Sequence, residues 1–190
     1  MKNLFNIIIL IFISQALYAN EALTRDERVV ALTLLGEARG EGERGIFAVA
    51  CVIQTRAGNR GLSAAQVCHE AKQFSPWNGV DRQGNYRLKK ERELYHLWDS
   101  KHMMYARRVA RSVCSKNIWL ADITNQADHF YSKKVRRSPP YWAKKEDLAV
   151  IIGNHVFYQL RKTKKNPLTV APKASMLPPC TSQLLRKTCK

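Results

Sequence analysis

Apolar positions recur at helical spacing through the first third of the chain. Val30, Thr33, Leu34 and Glu37 fall at i, i+3, i+4 and i+7, which is one face of a helix. Thr24-Arg25-Asp26-Glu27 opens this run as a capping box: the hydroxyl takes the backbone N–H three residues on, and Glu27 reaches back. The run ends in the turn Gly36-Glu37-Ala38-Arg39-Gly40-Glu41-Gly42-Glu43. A second helix is predicted over Ile46–Ile53, with Ile46, Val49, Ala50 and Ile53 as its stripe and a stop near Ala57-Gly58-Asn59. Ser63-Ala64-Ala65-Gln66 is another capping box, with Leu62 and Val67 spaced as a hydrophobic staple, and it predicts a third helix to about Lys72. Pro76 and Asn78-Gly79 then break the chain into a loop, and residues 80–90 are polar and aperiodic. Glu91–Lys116 reads as one long helix. Leu94, Trp98, Tyr105, Val109 and Val113 mark its buried side, and Arg107, Arg108 and Arg111 a solvated one. Asp128–Ser132 and Ala149–Tyr158 carry strand-forming residues around the Pro139-Pro140 turn and predict a small antiparallel hairpin. The expected class is therefore α+β, mainly α.

The two ends of the chain follow neither pattern. Lys2 is the first charge and Glu21 the next. Ile7–Ile13 is an unbroken apolar run, and Ser14, Ala16 and Ala19 supply small residues. This predicts a secretory signal peptide within residues 1–19, cleaved after Ala16 or after Ala19. A domain over residues 20–160 follows, then a Lys-, Pro- and Thr-rich tail over 161–190. About 170 residues suffice for one domain with a sizeable core. No later stretch has the apolar length to span a bilayer, so no stable membrane insertion is expected after signal cleavage.

Charge narrows the partners. The formal net charge is +17, which implies an anionic partner: nucleic acid, anionic lipid or an envelope polymer. The basic residues are spread rather than clustered, and there is no nucleic-acid-binding motif, so no nucleic acid is expected. Export permits disulfides. There are five cysteines, an odd number, so at least one thiol is free or bonds another chain. Cys51 in its apolar run is the expected free thiol. Cys180 and Cys189 are expected to close a loop in the tail, and Cys68 and Cys114 to pair across two helices.

Three kinds of chemistry are open to these residues. A metal site could use His129 and His155 on the two strands with Asp128, but compact ligand spacing is missing, and no metal or cofactor is expected. A Cys–His nucleophile would need Cys51, which the pattern buries. Proton delivery to a glycosidic oxygen fits better. Glu37 closes a buried stripe, and desolvation there raises a carboxyl pKa and suits it to be a general acid. Most glycosidases add a second carboxylate; Glu41, Asp81, Asp122 and Asp128 are the candidates. Gln73, Ser75, Trp77, Tyr131 and Tyr141 are candidate sugar contacts, because aromatic faces stack on sugar faces while amides and hydroxyls bond their polar groups.

Three blocks carry a resemblance. They are Gly36-Glu37-Ala38-Arg39-Gly40-Glu41 with Ala48-Val49-Ala50-Cys51-Val52-Ile53-Gln54-Thr55-Arg56; then Gln73-Phe74-Ser75; then His129-Phe130-Tyr131, Pro140-Tyr141-Trp142-Ala143 and Ile152-Gly153-Asn154-His155-Val156-Phe157-Tyr158. In this order, over roughly residues 27–160, the chain resembles the SleB-type cell wall hydrolases, the spore cortex-lytic family. The resemblance implies a lysozyme-like, lytic transglycosylase-like helical domain. It implies cleavage of the N-acetylmuramyl–N-acetylglucosaminyl bond of peptidoglycan, and Glu37 as the catalytic acid. It also implies that one Glu suffices, since the muramyl C6 hydroxyl can attack its own C1 and leave a 1,6-anhydro end. His129 and His155 would join the sugar contacts. Family members usually have Gly-Ala-Thr before the first His, where this chain has Gln126-Ala127-Asp128. The expectation is thus a monomeric periplasmic or envelope lytic enzyme; the alternatives are a muramidase using water and a non-catalytic wall-binding protein.

Overall fold

A computed structural model describes residues 22–81, 83, 85–115, 120–136 and 138–161. The N-terminal apolar segment and the tail beyond Arg161, with Cys180 and Cys189, lie outside the described residues.

Helix α1 (Arg25–Ala38) starts where its capping box predicts. The Thr24 hydroxyl accepts the Glu27 N–H at 3.3 Å, and the Glu27 carboxylate accepts the Thr24 N–H at 2.8 Å. Every residue from Val29 to Leu35 is buried. The predicted stripe is thus too narrow: α1 is the central rod of the fold, apolar all round, with α2 (Gly42–Arg60), α3 (Ala64–Cys68) and α5 (Met103–Cys114) packed against it. A short 3₁₀ turn, Arg39–Glu41, separates α1 from α2.

Helix α2 divides two cores. Ile46, Val49, Ala50 and Ile53 face the helical core, whereas Ala48 and Val52 meet Ala127, Ile152 and Phe157 beside the sheet. It runs through Ala57-Gly58-Asn59 and stops at Gly61, which takes φ 62° and returns its N–H to Ala57 O.

Three predicted elements are corrected. The third helix ends at Cys68, not near Lys72, and Lys72 sits at φ 61°, a left-handed geometry no helix continues through. The predicted single helix over 91–116 is instead α4 (Arg87–Glu93), a 3₁₀ turn Tyr95–Asp99, and α5. The α-helix stops at Glu93, and the 3₁₀ turn after it stops at Ser100, whose hydroxyl accepts the His102 N–H at 3.3 Å. The last predicted strand is two strands. β2 (Leu148–Ile152) and β3 (His155–Tyr158) form a hairpin about Gly153-Asn154, with Gly153 at φ 59°, and β1 (His129–Ser132) pairs with β3 on its other edge.

Cys51, Cys68 and Cys114 are free thiols, so the expected Cys68–Cys114 bond is absent. Cys68 turns its sulfur to the Thr33 hydroxyl instead, and burial pushes its pKa up to about 12. Burial likewise drives Cys51 up to about 12, far from thiolate chemistry.

Candidate active site

Glu37 stands in the last turn of α1, at the negative end of the helix dipole, where a carboxylate is disfavoured. Burial raises its pKa above the usual range, against the opposing effects of the Ser75 hydrogen bonds and the Arg56 charge. The Ser75 N–H donates to Oε1 at 2.9 Å and the Ser75 hydroxyl donates to the same oxygen at 3.0 Å. Ser75, expected as a sugar contact, therefore holds the Glu37 carboxyl.

The turn carrying Ser75 is braced from behind. Trp77 is 2 % exposed, and its Nε1–H donates at 2.6 Å to Thr33 Oγ1, which itself donates to Val29 O. Its ring takes the edge of His69 at 5.0 Å. Trp77 is thus a core residue that anchors the Ser75 turn to α1, not the exposed stacking face the sequence suggested. Gly36 completes the joint: a Cβ there would lie 2.4 Å from Pro76 Cγ, so α1 and the turn meet only because position 36 has no side chain.

The other candidate carboxylates have structural partners. Asp81 accepts from Asn85 N–H and Nδ2, and Asp122 from Thr124 N–H and Oγ1. Glu41 accepts from the Asn154 N–H at 2.8 Å and from Asn154 Nδ2, with Lys134 Nζ 3.4 Å away. It fits between two glycines, since a Cβ at Gly153 would lie 2.5 Å from Glu41 Oε2 and one at Gly45 2.3 Å from Glu41 Cβ. Glu41 is thus the clasp between the end of the acid-bearing segment and the β2–β3 turn.

Those bonds, the Asn154 N–H first, hold the Glu41 carboxyl below its usual range. A depressed folded-state value means that the clasp stabilises the fold above the unfolded carboxyl pKa, about 4.3, and fails as pH drops through the folded value. Glu41→Gln should therefore start less stable at pH 7, by about 1–2 kcal/mol for a half-buried charge-assisted bond. It should then lose less stability than wild type between pH 5 and pH 2. Equal slopes of urea-derived stability against pH in the two proteins would remove this role.

Asp128 sits where the resemblance expects Thr. It is 1 % exposed and accepts at Oδ1 from Leu160 N–H at 2.8 Å and from the His129 Nδ1 side at 3.1 Å. Burial opposes its charge, but the His129 ring, the Leu160 N–H and Arg56 prevail and hold its pKa below the usual range.

His129 and His155 do not face each other. His129 pairs with Tyr158 and His155 with Ser132, so the two imidazoles lie on opposite faces of the sheet. His155 is 2 % exposed between the Phe130 and Phe157 rings, with burial lowering its pKa, and is a core residue rather than a sugar contact. Among the described residues, no three His, Cys, Asp or Glu side chains gather as a metal site would require.

The outer face of the sheet keeps His129 and Tyr131 together. Trp142, which the sequence reading passed over, closes on His129 at 5.3 Å, Tyr131 at 6.4 Å and Tyr158 at 5.6 Å. Tyr141 beside it is 96 % exposed. Gln73 and His129 line one depression of about 520 Å³ with Arg60, Glu70 and Arg161. The sequence signal for Trp142 is its place beside Tyr141 in the Pro-Tyr-Trp-Ala block.

Comparison with known proteins adds a family and a fold. A sequence profile described as cell wall hydrolase matches residues 40–158. The matched region covers the Ser75 turn and the whole sheet, and begins three residues after Glu37. Among solved structures, the chain is similar to the catalytic domain of the germination-specific lytic transglycosylase SleB from Bacillus anthracis. The TM-score is 0.50 and the identity 22 %, over 74 % of this chain and 98 % of that one, which is a likeness of fold. No curated protein matches the chain.

Proposed function

The chain belongs to the cell wall hydrolase family, and on that footing we propose that it is an exported lytic transglycosylase with Glu37 as its single acid and base. The substrate is peptidoglycan, cut between N-acetylmuramic acid and N-acetylglucosamine. Glu37 protonates the leaving oxygen; the muramyl C6 hydroxyl then attacks C1, gives its proton back to the Glu37 carboxylate and leaves a 1,6-anhydro end. The observation that carries this reading is the state of Glu37: a partly desolvated carboxyl at a helix C-terminus, raised in pKa and fixed by two Ser75 bonds on one oxygen. The partners of Glu41, Asp81, Asp122 and Asp128 favour a one-carboxylate mechanism over a two-carboxylate one. Tyr141, Trp142, Tyr131, Gln73 and His129 supply the sugar-facing surface, and the positive charge draws the protein to an anionic wall.

The test is digestion of purified sacculi with the protein isolated from the envelope fraction. Mass spectrometry should find muropeptides with anhydro ends. Reducing ends would establish a water-using muramidase, and no release at all a wall-binding protein. The same preparation, sequenced from its N-terminus, should begin at Leu17 or Asn20; a start at Met1 would refute signal cleavage.

A further inference from the structure

Arg56 closes the second apolar run, where a long cationic side chain would ordinarily extend its charge into water. It is instead 4 % exposed. Its Nε–H donates to the Asp128 carbonyl at 2.6 Å, and its guanidinium carbon lies 5.1 Å from the centroid of the Phe74 ring. One terminal nitrogen, Nη1, is buried without a hydrogen-bond partner among the described residues. A guanidinium has five N–H donors, and burying its charge with donors to spare is costly unless a neighbouring anion offsets it. Phe74, which seats the cation, directly precedes Ser75, which holds Glu37. Two consecutive residues of one short segment thus hold the buried cation and the acid.

We propose that Arg56 is a positioning residue for the acid: from its seat between Asp128 and Phe74, its guanidinium compensates the negative charge that Glu37 acquires each time it gives up its proton. This rests on Glu37 being the acid. Both Ser75 bonds fall on Oε1 of Glu37, so no Ser75 donor stabilises a charge on Oε2. The two requirements on a lone acid conflict. Burial favours its protonated form, yet a carboxyl buried without compensation holds its proton too tightly to deliver it. A fixed cation limits that effect without itself exchanging protons. Burial lowers Arg56 only to about 10, so it stays charged at neutral pH. The groups that face Arg56 are Arg60 on its own helix, Asp128 before β1, Cys68 on α3 and Glu37 on α1. Arg60 is paired with Glu70, and the Cys68 thiol is neutral. Glu37 is faced by Ser75 and Arg56.

Carboxyl titration by ¹³C NMR tests this directly. In Arg56→Met the acid constant of Glu37 should fall by up to about tenfold, the low end of the effect of a nearby opposite charge, since Arg56 acts on Glu37 less than the Ser75 bonds do. The alkaline fall in sacculus lysis, which marks loss of the Glu37 proton, should move to higher pH by the same factor. The kcat should drop with KM nearly unchanged, and Arg56→Lys, which keeps the charge, should recover most of both. A Glu37 titration unchanged in Arg56→Met, or an Arg56→Lys no nearer to wild type than Arg56→Met, overturns the proposal. Should Arg56→Met fail to fold, wild type and Glu37→Gln suffice. The Arg56 Nε–H resonance should shift with the Glu37 midpoint in wild type and lose that transition in Glu37→Gln; a resonance indifferent to Glu37 refutes the coupling. Neither titration uses activity, so an active Glu37→Gln would refute the catalytic reading while leaving this result to stand or fall separately.

Discussion

Glu37→Gln is expected to slow muropeptide release from sacculi by about 10²–10⁴-fold, the usual contribution of a positioned general acid. The substitution is close to isosteric. The Gln side-chain oxygen can still accept both Ser75 bonds now made to Oε1, so the Ser75 turn and the end of α1 should keep their places. A neutral amide also escapes the penalty that burial and the helix C-terminus place on the carboxylate, so stability at pH 7 should be unchanged or slightly higher. Activity and stability are therefore expected to part company, which is the signature of a functional group held in an unfavourable place. Glu41→Gln and Asp128→Asn are the comparisons. Glu41→Gln loses one of the two oxygens that accept from Asn154, and Asp128→Asn removes a buried charge that His129 and Arg56 favour, so each should lose stability first and activity only in proportion. Release at the wild-type rate from Glu37→Gln would refute its role as acid. A folded but inactive Asp128→Asn would install a second catalytic carboxylate.

Gly36→Ala should damage the enzyme although a sequence reading predicts the reverse. Within a helix, Gly to Ala is worth about 0.8–1 kcal/mol in favour of Ala. Gly36 lies within α1, so propensity by itself promises a gain. The new methyl would lie 2.4 Å from Pro76 Cγ and 3.3 Å from Pro76 Cβ. The proline ring is rigid, and the turn cannot swing aside freely, because Trp77 is bonded to Thr33 at 2.6 Å. Overpacking of this kind costs about 1–3 kcal/mol, which outweighs the propensity term. The displaced residue would be Ser75, the holder of Glu37, and a displacement of about 1 Å can cost 10²-fold in rate. Gly40→Ala is the control: a Cβ there meets nothing within 4 Å, so stability and activity should stay near wild type. A Gly36→Ala protein as stable and as active as Gly40→Ala would show that the joint between α1 and the turn is not tight.

The sequence by itself determined the features set by local chemistry. The capping boxes at Thr24 and Ser63 were legible because N-cap bonds join residues three apart. The class was legible because helical spacing dominates the first half and strand formers the second. The partial burial of Glu37 was legible because it continues a buried stripe. Where the reading failed, a neighbour distant in sequence or a missed turn decided. Seven consecutive buried residues in α1 required partners on every side, which a one-face pattern does not encode. The predicted helix over 91–116 is interrupted at Leu94 and again at Ser100, where a serine hydroxyl takes the His102 N–H, and the last predicted strand folds back at the Gly153-Asn154 turn.

The roles within the site were beyond sequence for a deeper reason. Trp77 and Tyr141 look alike as candidate sugar platforms. Tertiary packing buries the first to 2 % exposure, to anchor a turn, and leaves the second 96 % exposed. Glu37 and Glu41 are four residues apart in one motif, yet one meets the Ser75 turn and is raised in pKa while the other meets Asn154 and is lowered. Burial and hydrogen-bond donors fix a carboxyl's proton affinity, and here those donors come from residues 38 and 113 positions away in the chain. The chain sequence supplies the carboxyls; the packing of distant segments decides which of them has its proton affinity raised and which lowered.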